Sequence, residues 1–65
     1  MAKFQVTFEK APPRTITADR FNAYGQGRIA FYNDHKKTGR FFGQYNTELV
    51  AEIQTKEDFI VEKLP

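Results

Sequence analysis

The residues of this chain that are best suited to bind a partner lie between Arg28 and Tyr45, in the stretch RIAFYNDHKKTGRFFGQY. Two aromatic-rich apolar runs flank a short polar segment that carries the cations Lys36, Lys37 and Arg40. Strand-forming runs separated by Asn, Asp and Gly predict a β-hairpin. Interleaved cations and aromatic rings could pair with phosphates and stack on bases, or could anchor a protein interface. The tip and one face of this hairpin are therefore the candidate binding surface.

We expect the outward-facing cations and aromatics of the hairpin to contact a partner together. The predicted partner-binding residues are Arg28, Tyr32, Lys36, Lys37, Arg40, Phe42 and Tyr45. Ile29, Phe31 and Phe41 are instead predicted to build the core, because a very small domain needs aromatic side chains for packing. The outward set suits an acidic protein partner or nucleic acid, and residue types alone do not separate these two partners.

No catalytic constellation accompanies this surface. The chain contains no Ser, no Cys and a single histidine, whereas hydrolytic catalysis needs a nucleophile with a base, or a metal with several ligands. His35 lies in a polar segment and is interpreted as a solvated turn histidine. Glu57 and Asp58 are neighbours, and neighbours on a strand point to opposite faces, which argues against an acid–base pair. The sequence predicts a protein without enzymatic activity, metal or cofactor.

Length and composition favour one small folded domain over residues 1–65, because a chain of 65 residues is enough for a single compact core. The absence of Cys excludes disulfides, so stability has to come from packing. The first ten residues, MAKFQVTFEK, lack the continuous apolar stretch of a secretory signal, and no run approaches the ~18 apolar residues of a membrane span. We expect a soluble, cytoplasmic protein that does not associate with membranes.

Charge is distributed unevenly along the chain. The net charge is only +2, but the part up to Tyr45 carries eight Lys or Arg against three acids, and the part from Asn46 carries two against five. This asymmetry predicts a basic surface opposite an acidic one, if the fold keeps the two parts on different faces.

Short alternating runs predict β-strands in the first half of the chain. Phe4, Val6 and Phe8 alternate with polar residues, which is typical of a half-buried strand. Pro12-Pro13 ends this strand, because proline cannot donate a hydrogen bond to a neighbouring strand. The next run, from residue 14 to 18, resumes the alternation with Ile16 and Ala18 facing inward.

A bend or bulge is predicted at Asp19-Arg20, where the alternation breaks before Phe21. Gly25-Gln26-Gly27 follows as a hairpin turn rather than a dinucleotide-binding turn, because no long helix comes after it. The strand from Arg28 is apolar on both faces and is predicted to be central in its sheet. Asn33, Asp34 and Gly39 are predicted to form the loop of the hairpin.

Residues 46–54 leave two interpretations open. Asn46 or Thr47 could cap a short helix. Alternatively a single turn at Asn46 to Leu49 leads into a short strand from Val50 to Gln54, which we favour because a helix of barely two turns is marginal. Residues 56–58 then turn the chain into a last strand, residues 59–64, which could pair with a second copy.

These elements predict an all-β fold, either a small SH3-like barrel or a strongly bent antiparallel sheet of five to six short strands. We expect a monomer or a weak homodimer. The predicted function is a non-enzymatic binding module that contacts a protein partner through the basic and aromatic hairpin. The alternative is nucleic-acid binding by the same hairpin, which the low net charge disfavours.

Two resemblances accompany this interpretation. The segments Thr17 to Phe21, Gly27 to Tyr32, Phe42, and Val50 to Ile53 carry a T-x-A-D-x-F/Y…G-x-I/L-x-F-Y pattern. It resembles small uncharacterised bacterial and phage β-proteins and implies an SH3-like barrel without enzymatic activity, in an accessory role. The stretch from Arg28 to Arg40 is similar to the central hairpin of the small crenarchaeal chromatin proteins, which implies a β-sheet laid on DNA. That family is richer in lysine and usually carries a tryptophan, which this chain lacks.

Overall fold

The computed structural model describes residues 1–36 and 45–65, with Lys36 and Tyr45 placed by their backbone alone. This part of the chain forms six β-strands and no helix, which confirms the all-β prediction. The strands are β1 (Ala2–Phe8), β2 (Arg14–Ala18), β3 (Arg20–Tyr24), β4 (Arg28–Lys36), β5 (Tyr45–Gln54) and β6 (Phe59–Leu64). It follows that none of the described residues belong to a helix long and apolar enough to cross a membrane.

The strands form two antiparallel sheets of three strands each, in the orders β2-β1-β6 and β3-β4-β5. The sheets are not closed into a barrel, so the arrangement corresponds to a bent sheet. The chain passes from the first sheet to the second at Asp19, between β2 and β3, which is where the sequence predicted a bend. The backbone N–H of Asp19 donates to the carbonyl of Tyr32 at 2.9 Å and joins this corner to β4.

The core lies between the inward faces of the two sheets. Its buried residues are Phe4, Val6, Ile16, Ala18, Ile29, Phe31 and Ile53. The Phe4 ring lies 5.2 Å from that of Phe21 and 6.0 Å from that of Phe31, measured between centroids. Because Phe4 belongs to the first sheet and the other two rings to the second, aromatic packing holds the sheets together. The predicted inward orientation of the residues of β2 and β4 is confirmed.

The turn between β3 and β4 is tied to the segment after β5. Gly27 has a φ of 74°, in the left-handed region that favours glycine. Its carbonyl accepts a hydrogen bond from the Thr55 N–H at 2.8 Å. A Cβ atom at this position would lie 1.8 Å from the carbonyl oxygen of Thr55. This close backbone approach requires glycine, so the predicted turn at residues 25–27 also serves as a contact point within the fold.

For residues 46–54 the helix was wrong, and of the favoured alternative the strand from Val50 to Gln54 is confirmed whereas the turn before it was wrong. There is neither a helix nor a turn from Asn46 to Leu49, because β5 runs without interruption from residue 45 to 54. Its N-terminal half pairs with the far end of β4, with Thr47 opposite Asp34 and Asn46 opposite His35. A partner strand that satisfies the backbone hydrogen bonds outweighs the weak local preference for a turn. The register shifts between Phe31 and Tyr32 of β4, which leaves one extra residue in β5 as a β-bulge.

Asn33 and Asp34 were predicted to lie in a loop and instead belong to β4, which continues to Lys36. The Asn33 side chain is buried, and its Oδ1 accepts a hydrogen bond from the Asp19 N–H at 3.1 Å. The Asp34 N–H donates to Oδ2 of Asp19 at 2.8 Å. Turn-forming residue types are accommodated here because the corner at Asp19 supplies their polar partners. His35, also predicted to lie in the loop, is a strand residue whose Nε2 lies 3.2 Å from Oε1 of Glu48.

Candidate binding surface on the second sheet

The second sheet turns one face away from the core, and we call it the outer face. Its residues follow from strand alternation and from the pairing register, in which Arg20 lies opposite Tyr32 and Tyr24 lies opposite Arg28. On the other side of β4, Asp34 lies opposite Thr47. Tyr32 was predicted to point outward and Ile29 and Phe31 to lie in the core, and the burial of Ile29 and Phe31 agrees with this prediction. The members of the outer face are Arg20, Asn22, Tyr24, Arg28, Ala30, Tyr32, Asp34, Thr47, Leu49 and Glu52.

Four of these side chains make a continuous series of contacts, which we call the Arg–Tyr cluster. The phenol oxygens of Tyr24 and Tyr32 are 2.7 Å apart and share a hydrogen bond. The guanidinium carbon of Arg20 lies 4.7 Å from the centroid of the Tyr32 ring, and that of Arg28 lies 4.8 Å from the centroid of the Tyr24 ring. Both distances are within the range of a cation–π interaction. The two rings therefore meet at their hydroxyl groups, and each is covered by one arginine.

An ion pair fixes one end of the Arg–Tyr cluster. Nε of Arg20 donates to Oδ2 of Asp34 at 2.9 Å, and its Nη2 donates to Oδ1 at 3.4 Å. The Thr47 hydroxyl donates to the same Oδ1 at 3.0 Å. Hydrogen bonding to Arg20, aided by Thr47, lowers the pKa of Asp34, and the same pair raises the pKa of Arg20. Arg20 is therefore held by a carboxylate on one side while its plane covers an aromatic ring.

The hydrogen bond between the tyrosines separates their acidities. The pKa of Tyr24 is lowered, first by the hydrogen bond from Tyr32 and then by one from Asn22. The pKa of Tyr32 is raised, chiefly by its hydrogen bond with Tyr24. Either hydroxyl can donate while both phenols are neutral, and Tyr24 is the phenol that ionises first.

The charge of the outer face is close to balanced. Arg20 is paired with Asp34, whereas Arg28 forms no ion pair with any residue in the described ranges. Glu52 lies opposite Ala30 on the neighbouring strand and contributes to the raised pKa of Tyr32. Ala30 itself is only 3% exposed although it lies on the outer face, so its larger neighbours cover it. The surface is aromatic and arginine-rich without a large excess of positive charge.

The residues predicted to bind a partner fall into three groups. Arg28 and Tyr32 are brought together in the Arg–Tyr cluster. Lys36 and Tyr45 lie opposite each other where β4 ends and β5 begins, ~13 Å along the strand from Tyr32. Lys37, Arg40 and Phe42 lie outside the described residues, as do Gly39 and Phe41, which were predicted to belong to the loop and the core.

Sequence reasoning missed the residues that contact Arg28 and Tyr32 directly or through the ion pair, namely Arg20, Tyr24, Asp34 and Thr47. The signal for β3 was present, since Arg20, Asn22 and Tyr24 alternate with two inward residues. It was overlooked because Asp19-Arg20 was treated only as an interruption. Asp34 and Thr47 could not be found in this way, because both were assigned to turns.

A shallow groove of about 360 Å³ borders the Arg28 end of the cluster. Tyr24, Arg28 and Glu52 contribute to its walls, together with Gln54 at the end of β5. Within residues 1–36 and 45–65, no three or more His, Asp or Glu side chains come together in a way that could hold a metal ion. The groups that line this end of the outer face are a tyrosine ring, the guanidinium group of Arg28, a carboxylate and amide groups.

Comparison of the chain with protein-family models, with curated proteins and with solved structures finds no match. The resemblances to small bacterial and phage β-proteins and to crenarchaeal chromatin proteins consequently stay predictions. Function has to be argued from the geometry of the outer face.

Proposed function

We propose that this protein is a non-enzymatic binding module that recognises another protein through the outer face of its second sheet. The observation that carries the proposal is the Arg–Tyr cluster, in which a hydrogen bond and two cation–π contacts hold two tyrosines and two arginines together at the surface. Tyr and Arg are the residue types most often found at the energetic centre of protein interfaces. Side chains already held in place lose less conformational entropy on binding.

The charge of the surface favours a protein over nucleic acid. Nucleic-acid binding normally needs a clustered excess of cations to neutralise phosphates. Here Arg20 is already paired with Asp34, and Glu52 lies on the same face. Arg28 is left to contact an acceptor on the partner, and the tyrosine rings supply apolar area.

Nucleic-acid binding by the same hairpin is the second candidate. The observation in its favour is the position of Lys36 and Tyr45 at the end of the hairpin that also carries Arg28 and Tyr32. For the leading proposal we retain what the sequence predicted about the protein's context. It is a bacterial or phage accessory protein of the cytoplasm that resembles SH3-like barrels, and it acts as a monomer or weak homodimer.

A salt titration separates the two candidates. Binding of duplex and single-stranded DNA and RNA is measured at increasing salt concentration, with Lys36→Gln, Lys37→Gln and Arg40→Gln as variants. The protein-partner proposal expects no micromolar binding at low salt. Micromolar binding that weakens steeply with salt, with a slope that these variants flatten, would instead establish the nucleic-acid alternative.

Site-specific photo-cross-linking tests the protein interaction itself. A photoreactive amino acid is introduced in place of Arg28, and in a matched control in place of Thr17, an exposed residue of the first sheet. The expected result is a defined protein adduct from position 28 only. The affinity of the purified partner should then fall about tenfold or more with Tyr32→Ala and stay unchanged with Thr17→Ala. Equal labelling from both positions, or an affinity insensitive to Tyr32→Ala, contradicts the proposal.

A further inference from the structure

The four edge strands of the two sheets differ in how they are protected against pairing with another chain. Exposed edges are commonly blunted by Lys, Pro or short length. β2 has five residues and follows Pro13, β3 has five and begins with Arg20, and β6 has six, contains Lys63 and precedes Pro65. β5 has ten residues and contains no Lys, Arg or Pro. Within the described part of the chain, no strand pairs with its outer side.

The side chains of β5 indicate what could pair with it. Leu49 is 55% exposed and Val50 is 41% exposed, so two adjacent large apolar side chains of this strand face solvent. Glu48 and Glu52 flank them and are also exposed. The outer edge of β5, which no described strand covers, therefore combines an apolar centre with two carboxylates. Arg28, which forms no ion pair in the described ranges, lies on β4 opposite Gln54.

This pattern disfavours pairing of β5 with a second copy of itself. An antiparallel pair centred on Val50 would place the Glu48 of each copy against the Glu52 of the other. Like charges directly opposite each other destabilise a sheet.

We propose that β5 accepts an extended segment of the protein partner as an added strand, and that this segment carries Lys or Arg next to apolar residues. The inference rests on the proposed protein-binding function and states how the partner is held. Backbone hydrogen bonds along the free edge supply affinity, and side-chain contacts supply selectivity. Apolar partner side chains cover Leu49 and Val50, and cationic ones pair with Glu48 and Glu52.

The added strand would extend the outer face without a break. Leu49 lies opposite Tyr32 in the register, so a partner that covers Leu49 also approaches the Arg–Tyr cluster. The groove beside Tyr24, Arg28 and Glu52 continues this surface towards Gln54. One partner can thus use the strand edge and the aromatic surface together.

Synthetic peptides test the proposal on the intact chain. The probe is a soluble peptide of about ten residues that alternates lysine with valine and threonine, a length that matches a strand-addition ligand. Binding is followed by NMR, with amide hydrogen exchange as the readout for β5. We expect saturable binding, with slower exchange at the outward N–H groups between residues 46 and 54. The same peptide with its edge-facing amides N-methylated should bind about tenfold more weakly or not at all.

Charge selectivity is tested with matched variants. The double change Glu48→Gln and Glu52→Gln should weaken binding several-fold, and a peptide with glutamate in place of lysine should not bind. The control double change, Glu9→Gln and Glu62→Gln, removes the same charge from one exposed residue just after β1 and one in β6, and should leave binding unchanged.

Three outcomes would overturn the strand-addition proposal. They are no binding of the lysine peptide, equal binding of the N-methylated peptide, and equal weakening by both pairs of variants. If the cross-linked partner described above still depends on Tyr32, the protein-binding function stands while its strand-addition form fails. If that partner is also absent, the failure extends to the proposed function.

Discussion

The two sheets of this protein contribute similar inward faces to one core but present different faces to solvent. The outward positions of the first sheet carry the threonines Thr7, Thr15 and Thr17 together with Gln5, Ile60 and Glu62, and no side-chain hydrogen bond joins these residues in the described ranges. The outer face of the second sheet carries tyrosines and arginines joined by hydrogen bonds, cation–π contacts and an ion pair.

The difference lies in the side chains that point away from the core on the two sheets. Threonine suits a solvated strand, because its branched side chain fits the pleated surface and its hydroxyl hydrates. Large aromatic side chains at the surface bury only part of their area within the protein, which leaves apolar surface for a partner. We therefore interpret the first sheet as the structural support and the second sheet as the candidate interface.

The largest expected effect comes from the core that both sheets share. Phe31 is fully buried in the central strand of the second sheet, so Phe31→Ala should lower the free energy of unfolding by about 3 to 5 kcal/mol. That is comparable with the whole stability of a domain this small. Tyr32→Ala, one residue along on the outer face, should cost about 1 kcal/mol. Urea denaturation followed by circular dichroism measures both, and equal losses would remove the distinction between the two faces of β4.

The next effect concerns the contact between the β3–β4 turn and the segment that leads to the first sheet. Gly27→Ala should destabilise the fold by about 3 kcal/mol, because the residue has a left-handed φ and its Cβ would overlap the carbonyl oxygen of Thr55. Gly25→Ala is the matched control, since a Cβ there meets nothing within 4 Å. Its effect should stay within about 0.5 kcal/mol. Similar denaturation midpoints for the two variants would contradict this role for Gly27.

A smaller effect should appear in acid, through the ion pair of the second sheet. The folded-state pKa of Asp34 is lowered by Arg20, so this group stabilises the fold above the unfolded pKa. Its contribution is lost as the pH falls through the folded pKa. Asp34→Asn should therefore remove part of the decline in stability below about pH 4. Asp58→Asn serves as the control, because Asp58 makes no side-chain hydrogen bond within the described part of the chain.

These variants are compared by urea denaturation at a series of acidic pH values. If Asp34→Asn leaves the decline in unfolding free energy at acidic pH unchanged, or if Asp58→Asn reduces it equally, the ion pair of the outer face does not contribute to the pH dependence of stability.

The smallest expected effect is a change in tyrosine titration. Because the hydrogen bond to Tyr24 is the main cause of the raised pKa of Tyr32, Tyr24→Phe should lower the pKa of Tyr32 towards its usual range. Tyr32→Phe should raise the lowered pKa of Tyr24 in the same way. NMR titration of the tyrosine ring carbons at alkaline pH measures both values. If each tyrosine titrates identically with and without the other, the two hydroxyl groups are not bonded to each other.

Much of the fold could be predicted because alternation in short strands is a local signal. Phe4, Val6, Ile16 and Ala18 lie in the core as their spacing predicted, and the break at Asp19 is the corner between the sheets. The assignment failed where local preference and tertiary pairing disagree. Residues 46–49 favour a turn in isolation, but they pair with the far half of β4.

The candidate site could be predicted only in part. Arg28 and Tyr32 share a face of one strand, which the period of two makes visible in the sequence. Arg20, Tyr24 and Thr47 join them through cross-strand register, which depends on how β3 and β5 align with β4. No local pattern encodes that alignment, because it is set by the burial of whole strands and by the turns that connect them.

The sequence by itself determined an all-β fold, the absence of disulfides and the inward faces of the strands, since these depend on residue type and on a period of two. Only the tertiary structure decided that the two sheets stay open, that β5 forms a long edge and that the Arg–Tyr cluster assembles on one face. Sheet closure, edge exposure and side-chain contact all arise from residues distant in the chain, and those contacts form only when the strands pair.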